Sequence, residues 1–267
     1  FSDRIVFPIH NLQKEICLFG GRTYLNSEPK YLYSENNDKV SKSLFIYNLE
    51  NCNSNKPLII CEGPFDVWAL YQNDEKNSAA ILGSDFSREQ IKQLMNFNNK
   101  IYICLDSDKA GKDGVFKLLK NNIGIRKKTL VIDIPSNDPY DFYMKDLGKD
   151  IKNYSIEANE YLVNETINRM PKETQLELIK IKNEVFKIII QSDFTVFQYG
   201  TNVLSKLINV EPQYIIDKFY DYYRHYKPKY DFILSYEKDL FLMVYEDLCY
   251  PIKKIQNRFN KTYIYKM

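Results

Sequence analysis

Histidine and paired cysteine are what this chain has least of. Its 267 residues include two histidines, His10 and His225, and five cysteines at Cys17, Cys52, Cys61, Cys104 and Cys249, with no Cys-x-x-Cys among them. These ligands are too few and too dispersed to build a zinc site. An odd, scattered cysteine set with several members inside apolar runs reads as reduced packing residues of a cytosol-like compartment, not as a disulfide framework. Apolar runs of membrane-spanning length are missing, as is a signal peptide, so no membrane partner is expected. A charge excess is missing too: 37 Lys and Arg against 35 Asp and Glu leave a formal +2. Composition therefore neither demands nor excludes a nucleic-acid partner.

The length suffices for one large or two modest domains. The chain opens on Phe1 and enters an apolar strand at once, as an excerpt of a longer sequence would. Residues 1–56 read as β-rich. A hairpin is expected from 4–9 and 15–19 across His10 to Lys14, with Gly20-Gly21 breaking the second strand. Residues 57–150 alternate short apolar strands (58–61, 79–82, 101–105, 129–132) with helical patterns, one of them capped by Ser87 with Glu89 and Gln90 in its first turn. Such alternation predicts βαβ units and a parallel sheet. From 151 onward the pattern is helical: Leu176, Ile179, Val185, Ile188 and Ile189 keep helical spacing, as do Ile215, Phe219 and Tyr222. These aromatic stripes read as core and helix contacts. Lys227-Pro228-Lys229 is the expected boundary between a helical bundle at 151–229 and a last segment at 230–267.

The chemistry lies where strands end. The run Ile101-Tyr-Ile-Cys-Leu105 leads straight into Asp106-Ser-Asp108-Lys-Ala-Gly111, and Leu58-Ile-Ile-Cys61 leads into Glu62-Gly63. Ligands of open parallel sheets sit beyond the carboxyl ends of the strands, so these acids share one rim. If extended there, Asp106 and Asp108 point to one side with Cα atoms about 7 Å apart. That spacing suits oxygen ligands of one or two Mg²⁺ or Mn²⁺ ions, which also take phosphate and water. The fourth strand leads to Asn137-Asp138-Pro139-Tyr140-Asp141, adding acids to the same rim. Asp138 before Pro139 is a natural helix N-cap, and Asp141 a first-turn helix acid.

Glu-Gly-x-x-Asp followed by Asp-x-Asp-x-Ala-Gly resembles the toprim domain shared by primases, type IA and II topoisomerases, some nucleases and recombination-mediator proteins. Other blocks are similar to one branch, the bacterial DnaG-type primases: Arg4-x-x-Phe-Pro-Ile9, Phe19-Gly-Gly-Arg22, Pro29-Lys-Tyr-Leu32, Ser34, Lys42 and Leu44 upstream, then Leu82-Gly83, Gln90, Asp138-Pro139 and Leu147-Gly148. The likeness covers residues 1 to about 150 strongly and the helical region by architecture only.

The resemblance implies an α/β fold: a toprim-type parallel sheet flanked by helices, preceded by the end of a β-rich nucleotide-binding subdomain and followed by an all-α bundle. It implies an RNA polymerase core that condenses ribonucleoside triphosphates into RNA primers on a single-stranded DNA template. Glu62, Asp106 and Asp108 would be catalytic and, with Asp138, would hold Mg²⁺ or Mn²⁺. Arg22, Lys30 and Lys42 fall on the family's basic positions facing nucleotide phosphates. Asp66 and Asp141 are further candidates. The segment from Tyr236 to Tyr245 resembles the start of a helicase-binding domain, so a replicative helicase joins the expected partners. The cytoplasm, or an organelle of bacterial origin, is the expected compartment. The family's zinc module and the first half of its polymerase core, which supply template contacts, have no counterpart here, so zinc is expected only upstream in a parent protein. Two departures stand out: Pro64 and Phe65 occupy variable spacer positions, and Tyr140 stands where the family usually has a second acid. Another toprim enzyme, nuclease or topoisomerase-like, or a non-catalytic module binding nucleic acid or a helicase, stays open as an alternative.

Overall fold

The computed structural model describes residues 1–25, 27–34, 41–147 and 150–230, with backbone only for 226–230. The segment expected at 230–267 lies, beyond Tyr230, outside the described residues. The chain divides into two compact units, Phe1–Leu162 and Val163–Met267.

The first unit begins with a three-stranded antiparallel sheet, β1 (Arg4–His10), β2 (Ile16–Thr23) and β3 (Tyr31–Tyr33), in that order. The hairpin turn is built by Asn11, whose side-chain oxygen accepts from the backbone N–H groups of Gln13 and Glu15. One expectation fails here: Gly20-Gly21 does not break β2, which runs through both to Thr23. Gly20 pairs with Phe7, and the Phe7 ring occupies the space a Cβ would fill. Glycine in this strand therefore admits a core ring, as close packing over a strand requires. Phe7, Ile9 and Leu18 are buried on that face together with Leu82.

The second sheet has the order β5-β4-β6-β7-β8. Its strands β4 (Leu58–Cys61), β5 (Ser78–Ala80), β6 (Ile101–Cys104) and β7 (Thr129–Ile132) are parallel neighbours, while β8 (Ser155–Glu157) is antiparallel to β7. β4 is buried at every position, the mark of a strand covered on both faces. The connecting helices are α1 (Pro64–Gln72), α2 (Arg88–Met95), α3 (Lys109–Asn121), the single turn α4 (Ile123–Arg126) and α5 (Pro139–Met144). Ser87 caps α2 in a reciprocal box with Gln90, as its sequence predicts. β5 stops short of its expected end because Leu82 turns left-handed at φ 63°. β8 was not legible either: a 3₁₀ turn at Ile151–Tyr154 and this short strand precede the helices where only helix is expected.

The helices α6 (Ala158–Arg169), α7 (Gln175–Ile189), α8 (Phe194–Ile208) and α9 (Pro212–Tyr230) follow. Thr174 and Glu177 box the start of α7, Asp193 caps α8, and Asn209 closes α8 at φ 56°. Phe186, Phe197 and Phe219 meet edge to face between α7, α8 and α9. α9 stays helical through Lys227-Pro228-Lys229 to Tyr230, so these residues do not interrupt the helix. Proline has a helical φ and removes one donor, a loss of one hydrogen bond in the turn it occupies.

Candidate active site at the carboxyl edge of the parallel sheet

Cys61 and Cys104 are partners in the β4–β6 pairing, so Glu62 and Asp106 leave adjacent strands at the same edge. Each acid is held by the turn that follows it. Asp66, in the first turn of α1, accepts from the Gly63 N–H at 3.0 Å and so satisfies a donor that the helix itself leaves orphaned. Asp108 is the N-cap of α3 and accepts from the Gly111 N–H at 2.8 Å. The Asp-x-Asp-x-Ala-Gly pattern gains its physical meaning there. A Cβ at Gly111 would strike the backbone carbonyl of Asp106, so only glycine lets the first turn of α3 close against the strand end. The Ser107 N–H donates to the Asn137 carbonyl at 2.8 Å and ties this loop to the one after β7. Asp138 caps α5, accepting from the Asp141 N–H at 2.7 Å, with Pro139 as the first helical residue. Asp141 pairs outward with Lys145 at 3.0 Å.

Burial, and after it mutual repulsion, pushes three of these acids toward protonation. Burial, then Asp106 and Asp108, raises Glu62 to about 7, against relief from an Asp106 backbone N–H and from Lys30. Burial, then Asp138 and Asp108, raises Asp106 to about 6, again relieved by Lys30. Asp66, with 8% of its surface exposed, rises to about 7 through burial, Asp138 and Asp106. Glu62, Asp106, Asp108 and Asp138 thus lie within electrostatic reach of one another, with Lys30 as a nearby cation and Asp141 at the margin.

The three basic candidates differ. Lys30 is exposed and faces Glu62 and Asp106. Arg22, on β2, lies over the Phe65 ring with 4.1 Å from its guanidinium carbon to the ring centroid, and donates to the Tyr31 hydroxyl at 3.3 Å. Lys42 donates to the Leu82 carbonyl at 2.9 Å and lies over Tyr33. The left-handed Leu82 is thus a contact point of the site. Phe65, a spacer by sequence, is the shelf on which Arg22 rests, and Tyr31 braces it. Nothing local in the sequence announces these contacts, because Arg22 and Phe65 meet only when the two sheets pack.

Among the described residues no three His, Cys, Asp or Glu side chains stand together so as to hold a metal ion by themselves. An open rim of mutually repelling carboxylates still fits Mg²⁺ or Mn²⁺, since Mg²⁺ keeps several waters and takes only one or two carboxylates beside substrate phosphates. Beside the rim opens a cavity of about 540 Å³ lined in part by Arg22, Lys30, Phe65 and Tyr140.

Residues 59–143 match the family described as Toprim-like, and residues 1–53 match the DNA primase catalytic core, N-terminal domain. The DNA primase of Buchnera aphidicola (subsp. Baizongia pistaciae) is 33% identical over 202 residues, covering 71% of this chain and 34% of that protein. The DNA primase of Thermotoga maritima is 34% identical over 162 residues, 57% of this chain and 29% of that protein. The E. coli primase catalytic core superposes with a TM-score of 0.63 at 24% identity, over 79% of this chain and 71% of that one. A DnaG primase catalytic domain bound to single-stranded DNA matches equally, with a TM-score of 0.63 at 24% identity over 76% and 70%. At that identity the solved structures speak for the fold.

Sheet order, acid rim and domain match together define a toprim protein. Within that class the chain belongs to the DnaG-type primases, with the end of the core's N-terminal domain joined to toprim. It spans about a third of the first relative named above, 34% of that protein's length.

Proposed function

We propose that this chain carries the nucleotidyl-transfer part of a primase that makes short RNA primers on single-stranded DNA. The observation that carries this reading is the rim of Glu62, Asp106, Asp108 and Asp138, strained by repulsion and facing Lys30, in a chain whose curated relatives are DNA primases. Asp106, Asp108 and Asp138 are the proposed holders of Mg²⁺ or Mn²⁺, with Glu62. A cation bound there supplies charge neutralisation and polarises phosphoryl oxygens. Glu62, at the end of β4 beside Asp106, is the proposed acceptor of the primer 3′-hydroxyl proton where it does not itself hold the cation. Arg22 and Lys30 orient the triphosphate, Arg22 through a planar fork and Lys30 as a point charge. Lys42 holds the Leu82 turn and has further N–H donors for phosphate.

The proposed division is a β-rich nucleotide-binding part at 1–56, toprim at 57–150, a helical bundle at 151–229 and a helicase-facing segment at 230–267. Template DNA, ribonucleoside triphosphates, RNA primer and a replicative helicase are the proposed partners, and a cytoplasmic replisome the setting. No helix among the described residues is long and apolar enough to cross a membrane. The relatives do not favour the nuclease, topoisomerase-like and non-catalytic readings; Tyr140 in place of a second acid is the one sequence feature on the side of the last.

Mn²⁺ titration by water-proton relaxation tests the rim. Wild type is expected to bind and Asp106→Asn to lose on the order of tenfold or more in affinity, since even outer-shell substitutions at metal sites cost about that much. Equal binding by both proteins would remove the metal site from the proposal. The chain alone is expected to make no primers, and a longer protein that adds the template-contacting N-terminal half is expected to make them. Robust templated synthesis by residues 1–267 alone would overturn that division of labour.

A further inference from the structure

We propose that Tyr140 is a base-stacking residue of the nucleotide site, a specificity-determining contact that works on the nucleoside while Lys30 and Arg22 work on the phosphates. The inference rests on the nucleotide-binding reading above and adds a residue and a ligand face to it.

Tyr140 sits in the first turn of α5, two residues after the Asp138 cap, and 42% of its surface is exposed. Its neighbours in sequence account for the local structure: Pro139 and Phe142 are buried, Asp138 caps the helix and Asp141 pairs with Lys145. Tyr140 does none of this work. A large aromatic residue left half in water at the mouth of a charged cavity has apolar surface available for a ligand.

The cavity says what kind of ligand fits. Its volume of about 540 Å³ is in the range of small-molecule sites, and its lining mixes two cations and one acid, Glu28, with aromatic rings. Lys30 and Arg22 are its cations, and both act electrostatically on the acid rim: Lys30 on Glu62 and Asp106, Arg22 on Asp66. Phe65 and Tyr140 line the same cavity, with Ile5 beside them. Arg22 is already committed to the Phe65 face at 4.1 Å. Of the other two rings lining the cavity, Tyr24 is tied through its hydroxyl to Asp3 at 3.1 Å, whereas Tyr140 stands two residues from the rim acid Asp138. A ligand with an anionic end and a flat aromatic end engages both the cations and the rings. A nucleoside triphosphate is such a ligand, whereas inorganic polyphosphate engages only the cations. Because every base has a π-face, the contact tolerates sequence and favours the larger purines.

The test measures Kd for Mg²⁺-ATP, Mg²⁺-CTP and Mg²⁺-tripolyphosphate by calorimetry on the 267-residue chain and on Tyr140→Ala, Tyr140→Leu, Tyr140→Phe and Lys30→Ala. Tyr140→Ala and Tyr140→Leu are expected to weaken ATP on the order of tenfold and CTP somewhat less, leaving tripolyphosphate unchanged. Tyr140→Phe is expected to retain wild-type affinity, and Lys30→Ala to weaken all three ligands. Tyr140→Leu keeps apolar bulk, so its loss isolates the ring from simple packing, and melting curves check that each variant folds. If ATP and tripolyphosphate weaken together in Tyr140→Ala, or if neither changes, Tyr140 does not stack on the base while the phosphate site stands. Loss in Tyr140→Phe equal to that in Tyr140→Ala assigns the effect to the hydroxyl and overturns the stacking role. If wild type binds neither ATP nor tripolyphosphate, the nucleotide reading itself fails and this inference falls with it.

Discussion

The sheet edge that carries Glu62, Asp106 and Asp138 and the helices from α7 to α9 obey opposite rules. In the helices the capping and packing features are resolved locally: Thr174 and Asp193 cap, Asn209 turns left-handed where a helix ends, and Phe186, Phe197 and Phe219 interlock. At the sheet edge the special features conflict. Carboxylates crowd together, Leu82 is left-handed without being glycine, and the buried Asp66 has other acids as electrostatic neighbours. Such unresolved strain persists in a folded protein where a ligand relieves it, so the edge reads as a site and the helices as scaffold.

Adding one methyl group to each region breaks the contrast open, and the effect at the edge is the largest expected here. Gly111→Ala drives a Cβ into the Asp106 backbone carbonyl, which has nowhere to retreat while β6 stays paired. A loss of about 3 kcal/mol or more is expected in urea unfolding, the upper range for overpacking. Gly200→Ala in α8 places its Cβ 2.6 Å from Ile189 Cδ1, the far end of a side chain that can rotate. Improved helix propensity offsets part of that clash, and a net loss of about 1 kcal/mol or less is expected. Equal losses would mean that the edge has slack which the packing denies.

Protons sharpen the contrast next. Glu62, Asp66 and Asp106 have folded values of about 7, 7 and 6, above the ordinary carboxylate range. The folded state therefore holds these protons more tightly than the unfolded chain. Stability from this source is present in full below about pH 4 and is lost as pH climbs through 6 and 7. Asp66→Asn removes the most buried of these charges and keeps an acceptor for the Gly63 N–H. It is expected to raise the melting temperature at pH 8 by on the order of 5 °C and to flatten the slope between pH 4 and 7. Mg²⁺ is expected to raise the wild-type melting temperature at pH 8 more than at pH 5, where protons occupy Glu62 and Asp106. A parallel slope in Asp66→Asn would move the pH dependence to other groups.

The two regions were also unequally legible. The four parallel strands, the acids at their ends, the Ser87 box and the Asp138 cap follow from short-range signals: apolar runs, turn residues and capping patterns. What escaped the sequence depends on contacts between distant segments. Gly20 reads as a strand breaker until the Phe7 ring across the hairpin explains it. β8 has only the residues Ser155–Glu157 and acquires its identity from pairing with β7. Phe65 reads as a spacer until β2 brings Arg22 over its ring. Pro228 reads as a boundary, and α9 continues through it.

The smallest expected effect tests which acid of the α5 turn belongs to the edge. Asp138 and Asp141 stand one helical turn apart, yet their surroundings differ. Asp138 gives one oxygen to the Asp141 N–H and acts electrostatically on Asp106 and Asp66. Asp141 acts on Asp106 only as the last of its influences and has its own cation in Lys145 at 3.0 Å, an exposed i,i+4 pair of a kind worth about 0–1 kcal/mol. Asparagine preserves an N-cap acceptor while deleting charge, so Asp138→Asn is expected to melt within about 2 °C of wild type. The same variant is expected to lose Mn²⁺ affinity on the order of tenfold. Asp141→Asn is expected to change neither quantity measurably, because a solvated pair is replaced by solvent. Loss of Mn²⁺ binding in Asp141→Asn with retention in Asp138→Asn would transfer the metal-holding role to Asp141 and leave Asp138 as a cap alone.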